Sequence, residues 1–372
     1  LSVYQSGDDR LMRNAIEQFD DSRLAEGLTA SSYPSGLRQQ IPPFSLWWIG
    51  MVHDFAMLRD DPAFVKARLA GVRSVLDWYE GRVDATGLVG GGPWWNFVDW
   101  ARDWAPRGVP PGADDGHSAI VTLQLVLALQ QAADLEQGSG RPEMAARNRV
   151  LADRLVATLR ERCWDEGRGL FRDSLETASF SQHANVLAIL AGAVPAGRER
   201  QVMERVLGDA DLTQATFYFR FHVDEALRKA GLADRYLDRL GPWRDMIRLG
   251  LTTTPETPDP SRSDSHAWSA HPNYQLLATV LGIRPASAGF ATVGIAPALG
   301  RLERAAGRMP HPAGTIAVAL KRVGPSGLAA TVDLPPGTPG TFRWAGQALA
   351  LKPGRTAVRC VDRTCSIDAG KR

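Results

Sequence analysis

Segments that are apolar on every side alternate along this chain with segments that are apolar on one side only, and that alternation restricts the fold more than any other feature. The first enclosed segment enters through Pro42-Pro43 and carries Phe44, Leu46, Trp47, Trp48, Ile49, Met51, Val52, Phe55 and Met57. A helix without a polar face has to be buried all round. Its successor, with Asp61 as cap and Pro62 in the first turn, keeps Phe64, Leu69, Val72, Leu76 and Tyr79 on one face and Lys66, Arg68 and Arg73 elsewhere. The contrast returns between 120–135 and 144–162, and again between 184–190 and 198–205. It is looser between 217–230 and 234–249, and 274–281 begins another enclosed segment. An amphipathic segment opened by Ser6-Gly7-Asp8-Asp9 precedes them all.

Enclosed and one-sided helices joined as hairpins describe an inner and an outer ring. The expected fold is mainly α, an (α/α)6 toroid. About ten helices are legible where a complete toroid has about twelve, so the first helix or hairpin is expected to be missing before Leu1. No repeat of fixed period suggests a solenoid. An irregular bundle or superhelical array would share part of the pattern. After Gly282 the text changes to short β-branched runs broken by Gly and Pro, from 293–295 to 356–361, which read as a small antiparallel β-sandwich. The expected domains are thus the helical domain, 1–282, and the sandwich, 283–372.

A net charge of +2 with 23% charged residues offers no basic stripe and no acidic tail, so neither nucleic acid nor an anionic membrane is the expected partner. The chain carries 11 Trp, several of them crowded together, which suits sugar rings or hydrophobic packing. Cys163, Cys360 and Cys365 have no zinc-type spacing, and neither metal nor cofactor is expected. Cys360 and Cys365 can close a small loop in an oxidising compartment or remain buried thiols. The sequence opens on Leu1 without a signal peptide or an 18-residue apolar run, and is expected to be soluble and to be a fragment.

Five connections lead into enclosed helices and hold most of the unusual chemistry: 31–43, 90–116, 177–183, 213–219 and 252–272. In a toroid such connections meet at one end, the default place for a ligand. The stretch 253–272 sets Glu256, Asp259, Asp264, His266, His271 and Trp268 in a loop stiffened by Pro255, Pro258 and Pro260. The stretch 90–104 interleaves Trp94, Trp95, Trp100 and Trp104 with Asn96, Asp99 and Asp103, so that indoles can stack on a sugar face while carboxylates hold its hydroxyls. Packing alone would also account for such tryptophans. Gln182, His183 and Asn185 either line the cleft or cap their helix, capping being the expectation, and His53, His117 and His222 are expected to be packed and hydrogen-bonded.

These strings resemble the bacterial α-L-rhamnosidases with a six-hairpin barrel, of the glycoside hydrolase family 78 type. The matching segments are Tyr33-Pro34-Ser35 with Ile41-Pro42-Pro43-Phe44-Ser45-Leu46-Trp47-Trp48, Trp95-Asn96-Phe97-Val98-Asp99-Trp100, Phe180-Ser181-Gln182-His183-Ala184-Asn185, and Glu256 with Ser263-Asp264-Ser265-His266-Ala267-Trp268-Ser269. Val293-Gly294-Ile295-Ala296-Pro297 resembles the family's C-terminal domain. The resemblance implies a six-hairpin glycosidase that removes terminal α-L-rhamnose with inversion. It implies Glu256 as general base, His266 as a residue that contacts the sugar or orients the base, Asp99 as the holder of hydroxyls, and Trp94, Trp95, Trp100 and Trp268 as the wall. The implied partner is a rhamnosyl glycoside. A periplasmic or secreted setting is favoured over the cytoplasm. The family's general acid is a carboxylate upstream of the matched region, and no residue of this chain stands there. Asp99 and Asp103 are the substitutes weighed, and both fit hydroxyl recognition better. A six-hairpin hydrolase of another sugar, or a non-catalytic carbohydrate-binding protein, remain the alternative readings.

Overall fold

The computed structural model describes residues 2–258, 260–324, 326–362 and 364–367. Its helices, in chain order, are α1 (Ser2–Ser6), α2 (Arg10–Asp21), α3 (Pro42–Leu58), α4 (Pro62–Glu80), α5 (Ala119–Gly138), α6 (Pro142–Arg162), α7 (Gln182–Ala191), α8 (Glu199–Gly208), α9 (Arg220–Lys229), α10 (Gly241–Arg248) and α11 (Pro272–Gln275). The strands are β1 (Trp164–Asp165), β2 (Leu170–Phe171), β3 (Thr257–Pro258), β4 (Ser261–Arg262), β5 (Ile283–Pro285), β6 (Val293–Ile295), β7 (Arg304–His311), β8 (Gly314–Val323), β9 (Gly327–Leu334), β10 (Gly340–Trp344), β11 (Gln347–Leu351), β12 (Gly354–Val361) and β13 (Thr364–Ile367). The chain forms two compact units: residues 12–56 with 61–231, and residues 1–11 and 57–60 with 232–372.

The first unit carries the helical hairpins. Helix α5 pairs with α6 and α7 with α8, while α5, α7 and α9 pack against one another in succession. The enclosed α5 and α7 thus touch each other directly, while each also carries a one-sided partner. Nearly all of α7 is buried, including His183, Asn185 and Gln182, and so is most of α5. Helix α6 buries Leu151, Leu155 and Leu159 and turns its arginines outward. Local signals fix the ends. The Asp61 carboxylate accepts from the Phe64 amide at 3.0 Å, and the Ser118 hydroxyl accepts from Val121 at 3.3 Å. Gly192, at φ 71°, closes α7 in the left-handed conformation that ends many helices.

The cap of α7 differs from the expectation. Ser181 performs it, accepting from the Ala184 amide at 3.1 Å. Gln182, His183 and Asn185 already lie inside the helix, where their side chains reach other segments. Gln182 donates to the Val206 carbonyl at 2.9 Å and accepts from the Ala215 amide at 3.0 Å. Asn185 accepts from the Phe171 amide at 2.8 Å and donates to the Ser181 carbonyl at 2.9 Å.

In the second unit the segment expected as one helix over 234–249 is two pieces, a 3₁₀ turn at Ala233–Leu240 and then α10. Pro242 cannot donate back to the preceding turn and instead starts a new helix. The β-strands form a four-stranded sheet in the order β11-β10-β6-β5 and a five-stranded sheet in the order β13-β12-β9-β8-β7. The sandwich is not wholly antiparallel, because β6 and β10 pair in parallel, Gly340 opposite Val293 and Phe342 opposite Ile295. Strands β7 to β9 intervene in the chain between them, and a parallel neighbour needs such a crossover. Ile316, Val318, Leu320, Val332 and Leu334 alternate inward to the core. Cys360 and Cys365, opposite one another in the β12–β13 pair, form a disulfide, and Cys163 is buried and free. Among the described residues no helix is long and apolar enough to cross a membrane.

Candidate active site

The expected site residues fall in both units, and each group has its own local frame. In the helical unit the loop 90–116 is folded on itself by backbone bonds. The Gly108 carbonyl accepts from the Val98 amide at 2.9 Å, and the Gly108 amide donates to the Trp104 carbonyl at 2.8 Å. Gly108 sits at φ +64°, and a Cβ there would come within 2.6 Å of the Asp99 carbonyl and the Phe97 ring. Only glycine fits this close approach.

This fold buries Asp99 completely. One carboxylate oxygen accepts from the Thr216 amide at 2.8 Å and lies 2.7 Å from Nε2 of His183, and the other accepts from the Thr216 hydroxyl. The His183 ring is gripped by Trp104 and Phe219, with centroids 4.3 and 4.4 Å away. Asp103 accepts from the Thr213 hydroxyl at 2.7 Å. A buried carboxylate so fully engaged ties loop 90–116 to α7 and to the loop before α9.

The same loop carries a cluster of aromatic rings. Trp100 packs on Trp95 and Phe97 with centroids 5.7 and 4.8 Å apart, and Trp95 is fixed by donating from its indole to the Arg107 carbonyl at 2.7 Å. Trp94, at φ 71°, stacks on Trp78 of α4 at 6.0 Å. A left-handed aromatic residue costs about 1 to 3 kcal/mol and is usually held for a reason. Trp47 stacks on His222 at 4.5 Å and 18°. Burial pulls the His222 imidazole down to about 4, so it packs as a neutral ring. Burial pushes the Tyr218 hydroxyl well above its ordinary range, and the negative charge of Asp99 adds to the effect. His53 lies 3.7 Å from Asp134, and His117 lies between Glu176 and Asp84 at 2.6 and 2.7 Å.

In the second unit β3 and β4 form a two-residue hairpin, Thr257 opposite Arg262. Glu256 stands at its foot, its amide donating to the carbonyls of Arg262 at 3.0 Å and Ser263 at 3.2 Å. Its side chain is 9% exposed, and Arg262 donates to one carboxylate oxygen from Nε at 3.0 Å and from Nη2 at 2.8 Å. Ser263, at φ 52°, turns the chain back so that the His266 amide reaches the Thr254 carbonyl at 2.8 Å. The His266 and Trp268 rings are 4.2 Å apart. Trp243 braces this segment by donating to the Ser269 carbonyl at 2.7 Å. Asp259 lies outside the described residues.

Sequence reasoning gave no role to Arg262 or Thr216. Arg262 is signalled by its six-residue distance from Glu256 across a Pro-rich turn, the span of a short hairpin. Thr216 has no such signal, being 117 residues from Asp99.

Residues 2–219 match the bacterial α-L-rhamnosidase six-hairpin glycosidase domain, and residues 282–349 match the bacterial α-L-rhamnosidase C-terminal domain. The chain belongs to the bacterial α-L-rhamnosidase six-hairpin glycosidase family. Its fold is the family's helical domain followed by a C-terminal sheet domain. The GH78 rhamnosidase of Bacillus sp. GL1 is similar at 26% identity and a TM-score of 0.82, over 91% of this chain and 37% of that one. The Streptomyces avermitilis α-L-rhamnosidase complexed with L-rhamnose shares the fold at 16% identity and a TM-score of 0.76, over 96% of this chain and 37% of that one. The Aspergillus terreus α-L-rhamnosidase does so at 16% and 0.75, over 94% and 43%. The chain thus spans well under half the length of these proteins. No curated protein matches the sequence.

Proposed function

We propose that this chain supplies the helical and sheet domains of a glycoside hydrolase that removes terminal α-L-rhamnosyl groups with inversion, Glu256 acting as general base. The observation that carries the reading is the Glu256 carboxylate, nearly buried at the foot of a hairpin and gripped on one oxygen by Arg262. A base has to hold its oxygen in line with a water while the rest of the loop stays still. An inverting pair needs a second carboxyl group about 6.5 to 9.5 Å away to protonate the leaving oxygen.

In the helical unit Trp95 and Trp100 offer faces on which a sugar can lie, with Trp94 stacked on Trp78, and in the second unit Trp268 offers another. His266, seated on Trp268, contacts the sugar. Asp99 serves this recognition indirectly, tying the loop that carries Trp95 and Trp100 to His183 and Thr216.

The test is hydrolysis of an aryl α-L-rhamnoside with an activated leaving group, which needs little protonation, by this chain and by Glu256→Ala. The expected loss in the variant is about 10²- to 10⁴-fold, with the β-anomer of rhamnose as the first product by NMR. Unchanged turnover in Glu256→Ala would remove Glu256 from the role. Hydrolysis of another aryl glycoside in preference to the rhamnoside would change the sugar. Sugar binding without any turnover would favour the carbohydrate-binding reading.

A further inference from the structure

The solvent face of the five-stranded sheet carries a feature that the active-site reading does not use. In the β7–β8–β9–β12 register, Ala306, Ala319, Thr331 and Ala357 lie opposite one another in one outward row. This row of small side chains is shared by two adjoining hollows of about 420 and 320 Å³. One step along the strands, Arg308 and Arg355 stand at the ends of the next row, and one step the other way stand Arg304, Lys321 and Arg359. The Arg304–Arg308 and Arg355–Arg359 pairs are each about 13 Å long, and three strand spacings of about 4.8 Å separate the two pairs. The floor is low and the cations stand at its corners.

Among the described residues none of these five cations makes an ion pair or a side-chain hydrogen bond, and Asp333 is the one carboxylate in the same rows. The whole chain has a net charge of only +2, so this face is a local concentration of positive charge. Four of the five are arginines, whose planar forks match carboxylates with two parallel hydrogen bonds. A membrane surface calls for large apolar side chains among the cations, and single-stranded nucleic acid for aromatic rings to stack on, and the floor offers neither.

We infer that this groove binds a carboxylated glycan, a chain bearing uronate groups, and so holds an acidic polysaccharide substrate. The choice of a glycan among anionic polymers rests on the rhamnosidase reading; the groove and its charge do not. Uronates set along the chain would meet the corner arginines, while the alanine floor lets the flat sugar ribbon approach the sheet.

Affinity electrophoresis of the intact chain in gels containing polygalacturonate tests this. Retardation is expected with polygalacturonate and not with neutral dextran. It should weaken at least about ten-fold in a variant carrying Arg304→Gln, Arg308→Gln, Arg355→Gln and Arg359→Gln, and in high salt. The variant should keep the wild-type circular dichroism and melting temperature, and hydrolyse the small aryl rhamnoside at the wild-type rate. Undiminished polygalacturonate binding by the folded variant overturns the inference. So does wild-type binding to dextran sulfate, duplex DNA or phosphatidylserine vesicles that is as tight as to polygalacturonate. Polygalacturonate binding without aryl-rhamnoside hydrolysis would count against the proposed activity and leave the groove standing.

Discussion

Arg262 reaches one carboxylate oxygen of Glu256 with two donors, Nε at 3.0 Å and Nη2 at 2.8 Å, and the two residues are joined by a hairpin of only two pairs. The arginine is 56% exposed and the glutamate 9%, so the pair contributes little to stability and its value lies in geometry. Arg262 is a positioning residue on this view. Arg262→Ala should lower kcat/KM for an aryl α-L-rhamnoside by about ten- to a hundred-fold, mostly through kcat. Lysine at 262 should recover only part, since a point charge cannot repeat the two-donor grip. Steady-state kinetics on both variants decide the matter, and a wild-type kcat in Arg262→Ala would make the pair merely structural.

Asp99 makes the opposite case, a carboxylate whose partners are all within the fold. Replacing it by alanine leaves the buried His183 ring and the half-buried Thr216 without their acceptor, at a cost of about 2 to 4 kcal/mol. Asp99→Asn keeps the shape and should lose about half of that. Urea unfolding followed by tryptophan fluorescence reads both. Wild-type stability in Asp99→Ala would mean that the knot does not hold the loop.

What the sequence made legible was whatever depends on near neighbours. Asp61 before Pro62 could be read as a cap because the accepting oxygen and the donating amide are three residues apart. The enclosed character of α5 and α7 could be read because burial on all sides leaves no polar stripe to find. Gln182, His183 and Asn185 were misread for the same reason: polar residues at a helix start suggest caps, and their partners at Val206, Asp99 and Phe171 lie in other segments. The Thr216–Asp99 bond and the parallel β6–β10 pair depend on where distant segments meet, which no local pattern encodes. Arg262 is intermediate, because its role follows once the hairpin register is known.

Asp173 should make stability depend on pH. It is fully buried, one of its oxygens accepts from the Ser181 hydroxyl at 2.5 Å, and the other has no partner among the described residues. Burial pushes its carboxyl up to about 6, against Ser181 and the nearby His183, which pull it down. The folded protein therefore holds this proton more tightly than the unfolded chain. Below about pH 4 both states are protonated and the group costs nothing; between about pH 4 and 6 the unfolded chain ionises first, and stability falls; above about pH 6 the full cost of about 3 kcal/mol applies. Asp173→Asn keeps the acceptor for Ser181 and removes the charge. It should be more stable than wild type by about 1 to 3 kcal/mol at pH 8 and no more stable at pH 4. An equal difference at both pH values would assign the effect to packing.

The Cys360–Cys365 disulfide closes a loop with a sequence separation of 5 between the last two strands. Chain-entropy arguments give a loop of this size about 2 kcal/mol, less than a longer bridge would supply. Because the pair lies at the edge of the sheet, its loss should free β13 while leaving the helical unit unchanged. Thiol counting checks the pairing directly. The unreduced, denatured protein should show one reactive thiol, Cys163, and the reduced protein three. The double variant Cys360→Ser with Cys365→Ser should unfold at lower urea by the same about 2 kcal/mol, and reductant should no longer change its midpoint. Three thiols before reduction would mean that the two cysteines stand side by side without a bond. The stability of the sheet edge would then rest on the β12–β13 ladder alone.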